Sequence, residues 1–144
     1  MFLSHLNWIA IAIAFVVFFA VGAVWFGPKT FYPKWVKLMG ITEEPGKGLG
    51  HHSMPFVFGL TALGALVQVV ALATIIYYFV LATAPVGVLG GAGLGFLIGV
   101  GIAAASSLSH RLFSGQGIRV WLIEVGGDIV SLTLAGAVIG LFGF

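Results

Sequence analysis

Apolar residues run along this chain in long unbroken blocks, and polar residues gather in the gaps between them. No Asp, Glu, Lys or Arg occurs from Met1 to Pro28, and none occurs from Gly48 to His110. A helix needs about 20 mostly apolar residues to cross a hydrocarbon core about 30 Å thick. The first block therefore holds one span, 9–26, with Trp8 and Trp25 where aromatic belts sit. Its length, and the lack of a basic segment before it, set it apart from a cleaved signal peptide. The second block is too long for one span and right for two. Thr83-Ala84-Pro85 divides it, because proline disfavours helix at the residue before it. That places a second span at 55–80 and a third at 86–107, and the last apolar block gives a fourth at 120–143. Strands of a membrane barrel alternate apolar and polar positions. These blocks do not, so the expected fold is all-α, a four-transmembrane-helix bundle forming a single domain over 1–144.

Between the first two spans the period changes. On a helix over 31–39, Phe31, Tyr32, Trp35, Val36, Leu38 and Met39 share one arc, with Lys34 and Lys37 opposite. Such a pattern describes a short amphipathic helix lying in the interface, rings toward the acyl boundary and ammonium groups toward anionic headgroups. Phe31, Trp35, Lys34 and Lys37 are its anchoring residues, and membrane lipids are the partner it implies. Glu43–Gly50 reads as a Gly-rich connector.

The third span carries Gly87, Gly91, Gly95, Gly99 and Ala103 at four-residue intervals, continued by Ser107. Residues four apart share a helix face, so this is a smooth stripe that lets another backbone approach closely. The stripe does not identify its partner: a helix of the same chain and a helix of another copy fit it equally.

Composition bears out the membrane reading. Charged residues are 7% of the chain, against about 25% in soluble domains, so polar side chains cannot cover its surface. The net charge of +2 comes from six basic and four acidic residues with no basic cluster, which excludes nucleic-acid binding. Cysteine is absent, removing thiolate metal sites and a Cys nucleophile. Lys29, Lys34, Lys37 and Lys47 lie between spans one and two, and Arg111 and Arg119 between spans three and four. The positive-inside rule puts both loops in the cytoplasm and both termini outside.

Glu124 and Asp128 are the unusual residues. They lie four apart on the last span, with Ser131 continuing the stripe. Counted from Arg119 at about 1.5 Å per residue, Glu124 lies about 7 Å along the helix and Asp128 about 13 Å. An ionised carboxylate near mid-bilayer costs at least about 2.5 kcal/mol, so polar groups at membrane depth read as functional by default. Gln68, midway along the second span, is the expected partner of Asp128, and Thr61 reaches the depth of Glu124. These residues outline an ion, proton or polar-ligand pathway formed by Glu124, Asp128, Gln68 and Ser131; an interhelical hydrogen-bond network is the structural counterpart. His51, His52 and His110 lack the spacing of a metal motif, and Ser109-His110 lacks an orienting acid. No metal, cofactor or catalytic residue is expected, and the chain does not read as an enzyme.

Asn7-Trp8 opens the first span, and Gly22-Ala23-Val24-Trp25-Phe26-Gly27-Pro28 closes it. Phe31, Trp35 and Gly40-Ile41-Thr42-Glu43 follow, and Trp121 begins the last span. On these residues the chain resembles the bacterial small-membrane-protein family called domain of unknown function seventeen-sixty-one, over most of its length. The resemblance implies a four-helix inner-membrane fold and no activity. Two functions are consistent with these patterns. One is a small homo-oligomeric transport or channel-type protein using the acidic face of the last helix. The other is a non-catalytic accessory or assembly subunit packed, through its glycine face, against a larger membrane complex.

Overall fold

The computed structural model describes residues 2–41 and 52–144. The connector expected at Glu43–Gly50, together with Lys47 and His51, lies outside the described residues. Four helices are long and apolar enough to cross a membrane: Trp8–Trp25, Met54–Ala82, Gly87–Phe113 and Ile118–Phe142. No strand occurs among the described residues. The protein is an all-α, multi-pass membrane bundle.

Local chemistry sets the ends of each element. A 3-10 turn (Phe2–His5) precedes α1 (Trp8–Trp25), whose N-cap is Asn7. The Asn7 side-chain oxygen accepts the Ala10 N–H at 3.1 Å, satisfying one of the helix's unpaired donors. The Asn7 amide donates to Gly143 O at 3.2 Å, tying the two ends of the chain together. Short α2 (Tyr32–Met39) carries proline in its first turn. It stops at Gly40, φ 65°, where Gly40 N–H reaches Lys37 O and Ile41 N–H reaches Val36 O. This is the Schellman arrangement, which requires a left-handed residue and so favours glycine. Tyr32, Trp35, Val36 and Met39 are half-buried while Lys34 and Lys37 are exposed.

α3 (Met54–Ala82) ends before Pro85. The third span consists of α4 (Gly87–Ile98), a π-helical stretch (Gly99–Ala104) and α5 (Ala105–Phe113). It runs past Ser107 to Phe113, and Gly115 (φ 76°) and Gly117 (φ 84°) then turn the chain into α6 (Ile118–Phe142).

α6 is the central helix, packing on α1, α3, α4, α5 and α2. Ala10, Ala14, Val69, Leu72, Ala73, Ile76, Ala135 and Ile139 form the centre of the core, none more than 1% exposed. α4 and α6 run antiparallel with their backbones almost touching. A Cβ added at Gly91 would lie 2.1 Å from Gly136 O, one at Gly95 2.1 Å from Leu132 O, and one at Gly140 2.1 Å from Gly87 O. At Gly99 it would meet Ile129 Cα at 3.0 Å. A carbonyl oxygen standing where Cβ would be faces a Cα hydrogen instead, a weak but repeated attraction along the seam. The four-residue stripe is thus occupied by this chain's own last helix, which supplies matching glycines at Gly136 and Gly140.

Past Gly99 the register moves. A π turn holds one residue more than an α turn, so the buried small residue is Ala104, 5% exposed, while Ala103 is half-buried. The strict repeat of four predicts Ala103 on the seam; the π segment explains the displacement.

α3 packs unevenly. Ala65, Val69, Leu72, Ala73 and Ile76 are buried, but no residue of 54–64 is. Phe58 stands two turns before Ala65 on the same face yet is 55% exposed. The first three turns of α3 therefore bury no side chain fully, and only Val57 and Ala62 are half-buried.

Candidate functional site

The polar residues collect at the end of the bundle where the basic residues lie. Glu124, in the second turn of α6, is their centre. Its Oε1 accepts the Trp35 indole N–H at 2.9 Å, and its Oε2 lies 2.6 Å from Arg111 Nε. The Glu124 side chain is 16% exposed and that of Arg111 35%. Arg111 also donates through its NH1 group to the Gln116 side-chain oxygen, within the turn that joins α5 to α6. One carboxylate thus joins the interfacial helix α2, the end of the third span and the last span. A charge-assisted pair of this kind is worth more than a neutral hydrogen bond, and more again where water is scarce.

Two further indoles fasten the same stretch. Trp25, the last residue of α1, donates to Ile123 O at 2.8 Å. Its ring lies over Gly126 and Gly127, where an added Cβ would come within 2.8 and 3.0 Å of the ring. Phe31 stacks on the other side, ring centres 4.6 Å apart. Trp121 donates toward Ala104 O at 3.1 Å and Ser107 Oγ at 3.2 Å, binding α6 to the residue that ends the π segment. Residues 121–127 of α6 are thereby held by hydrogen bonds from three directions.

Asp128 is half-buried one turn further along α6. Among the described residues nothing forms a hydrogen bond or ion pair with its carboxylate, and Glu124 lies one turn before it on the same face. Ser131 is buried, 2% exposed. Gln68 is not the partner that depth suggests. It is exposed, because α3 turns the neighbouring positions Ala65, Val69 and Leu72 into the core. Thr61 is exposed too and returns its hydroxyl to Val57 O at 2.8 Å on its own helix. Within one chain, then, Glu124, Asp128 and Ser131 share a face and Gln68 stands apart. His110 places Nδ1 3.1 Å from Ser106 O, and among the described residues no three His, Cys, Asp or Glu side chains are grouped to hold a metal.

The sequence places Trp35 in the interface and Arg111 at the cytoplasmic end of the bundle, but pairs neither with Glu124. The available clue was the short turn 114–117, which keeps the end of the third span beside the start of the fourth. Trp25 over Gly126-Gly127 had a signal as well: a paired glycine inside a helix marks a close approach.

The first, third and fourth apolar spans are fastened at one end by tryptophan hydrogen bonds and an Arg–Glu pair, which define a helical membrane bundle with a polar clasp. The chain belongs to the family described as Protein of unknown function (DUF1761), whose model matches residues 9–140. No curated protein and no solved structure matches it.

Proposed function

We propose that this protein is a non-catalytic accessory subunit that packs against another membrane protein through the first half of α3. The carrying observation is Phe58: it lies on the face that α3 buries further along, through Ala65, Val69 and Leu72, and yet stays 55% exposed. Phe56, Leu60 and Leu63 are exposed beside it. Close van der Waals packing is a main source of helix association in lipid, and an apolar helix face left uncovered offers a partner helix that packing. The glycine stripe is not available for this role, since Gly91, Gly95 and Gly99 already meet α6. Two features argue against a catalytic or conducting Glu124: both of its oxygens are engaged, and Gln68 is turned away. Phe58→Ala should leave thermal stability in detergent within about 1 kcal/mol of wild type, since little is buried there. It should also sharply reduce whatever membrane protein co-purifies after mild extraction. A co-purifying partner retained at full stoichiometry would refute this assignment of the surface.

Asp128 supports a second reading, a small homo-oligomeric transport or channel-type protein. A carboxylate at membrane depth with no partner among the described residues can hold a cation or exchange a proton, which an amide cannot. On that reading Asp128→Asn abolishes cation or proton flux through reconstituted vesicles while folding is kept. Flux from wild type equal to that of empty vesicles removes the reading.

The proposal also includes a bacterial inner-membrane location with both chain ends outside, supported by the basic residues of the two loops. A fluorescent protein that matures only in the cytoplasm should stay dark when fused after Phe144; bright cells contradict that orientation.

A further inference from the structure

A shallow groove runs along the lipid-facing side of the seam between α1 and α6. Val17, Ala20, Val21, Val24 and Trp25 line one wall and Val130 the other, enclosing about 400 Å³ with almost no polar surface. Val17 to Val24 spans about 10 Å of helix rise. A shallow apolar trough of that length matches a stretch of acyl chain.

Its basic end is ready for an anion. Trp25 closes the groove there, and the following turn is folded tightly back: Thr30 Oγ1 lies 2.7 Å from Trp25 O, and Phe31 N–H donates to the same carbonyl at 3.1 Å. Lys29 is therefore held within a turn of the Trp25 ring. On the other side, Trp25 Nε1 is bonded to Ile123 O, and Arg119 stands one helical turn before Ile123. Lys29 and Arg119 are both exposed, and neither forms an ion pair among the described residues. Arg119 also lies in the first turn of α6, where the helix dipole opposes a cation and favours an anion.

We infer that this groove binds the tails of an anionic phospholipid whose headgroup sits between Lys29 and Arg119. The apolar lining takes the chain, and the two cations, which have no ion-pair partner among the described residues, select the charge. This site is independent of the α3 surface.

Native mass spectrometry of the purified protein, with phosphatidylglycerol or phosphatidylcholine of identical tails added, tests it. One phosphatidylglycerol should be retained per chain, with a preference of about tenfold over phosphatidylcholine. The pair Lys29→Gln and Arg119→Gln should erase the preference, whereas Lys34→Gln with Lys37→Gln, on α2, should keep it. Val21→Trp, which fills the groove, should lower retention of both lipids. Lys29 and Arg119 are exposed, so their double variant decides the question by itself if Val21→Trp does not fold. Equal retention of the two lipids by wild type would overturn the proposal, as would a preference surviving the Lys29/Arg119 change or lost equally with Lys34 and Lys37. Adducts of a second protein displacing lipid from the groove would overturn it as well.

Discussion

Gly95→Ala should destabilise this protein by at least about 3 kcal/mol, while Gly93→Ala, two residues away, should stabilise it by up to about 1 kcal/mol. The two changes add the same methyl group to the same helix. At an exposed site alanine is the better helix former, because glycine loses more backbone freedom on folding. Gly93 is exposed with nothing within 4 Å of an added Cβ, so only that gain should be felt. At Gly95 the methyl carbon would stand 2.1 Å from Leu132 O and 2.8 Å from its carbonyl carbon. Those are backbone atoms of a helix, which cannot rotate away. α4 and α6 must separate over several residues, losing the close contacts at Gly91 and Gly99 together with that at Gly95. Thermal unfolding of both variants in one detergent checks the sign as well as the size. Similar shifts in both would mean that the α4–α6 seam is looser than described.

The second large effect is expected at Glu124. Replacing it with Gln keeps the shape and a hydrogen-bond acceptor for Trp35, but removes the charge facing Arg111 Nε at 2.6 Å. A guanidinium 35% exposed retains some access to water or headgroups, so the loss should fall below that of a fully buried pair, about 2 kcal/mol. Arg111→Gln should cost a similar amount. The double variant should cost less than the sum of the two, with a coupling of about 1 kcal/mol or more, because each single change strands the other partner. Trp35→Phe should cost about 1 kcal/mol through the lost indole donor. Strict additivity of Glu124→Gln and Arg111→Gln would show that the pair contributes nothing.

How much of this was legible beforehand depends on the range of the interaction. Span number, the amphipathic α2 and its stop at Gly40 follow from local rules, because they depend on residues within a turn or two of one another. The small-residue stripe was legible as a stripe, yet its partner was not. Gly136 and Gly140 are spaced by four like Gly91 and Gly95, and it takes an antiparallel register to bring the two sets together. Nothing in the residues Gly99–Ala104 announces the π segment or the one-residue shift that brings Ala104 inward. Depth counting misled at Gln68, since it fixes height in the membrane and leaves the direction of a side chain open. Glu124 was found from its cost in lipid, but Trp35 lies 89 residues away in sequence, beyond any local pattern.

If the exposed first half of α3 is a protein-binding surface, a photo-crosslinking residue placed at position 58 in cells should capture the partner. The control position is Leu89, 88% exposed on the third span. A protein adduct of one defined mass is expected from position 58 and no such adduct from position 89. Equal adducts from both positions, or none from position 58, would contradict it.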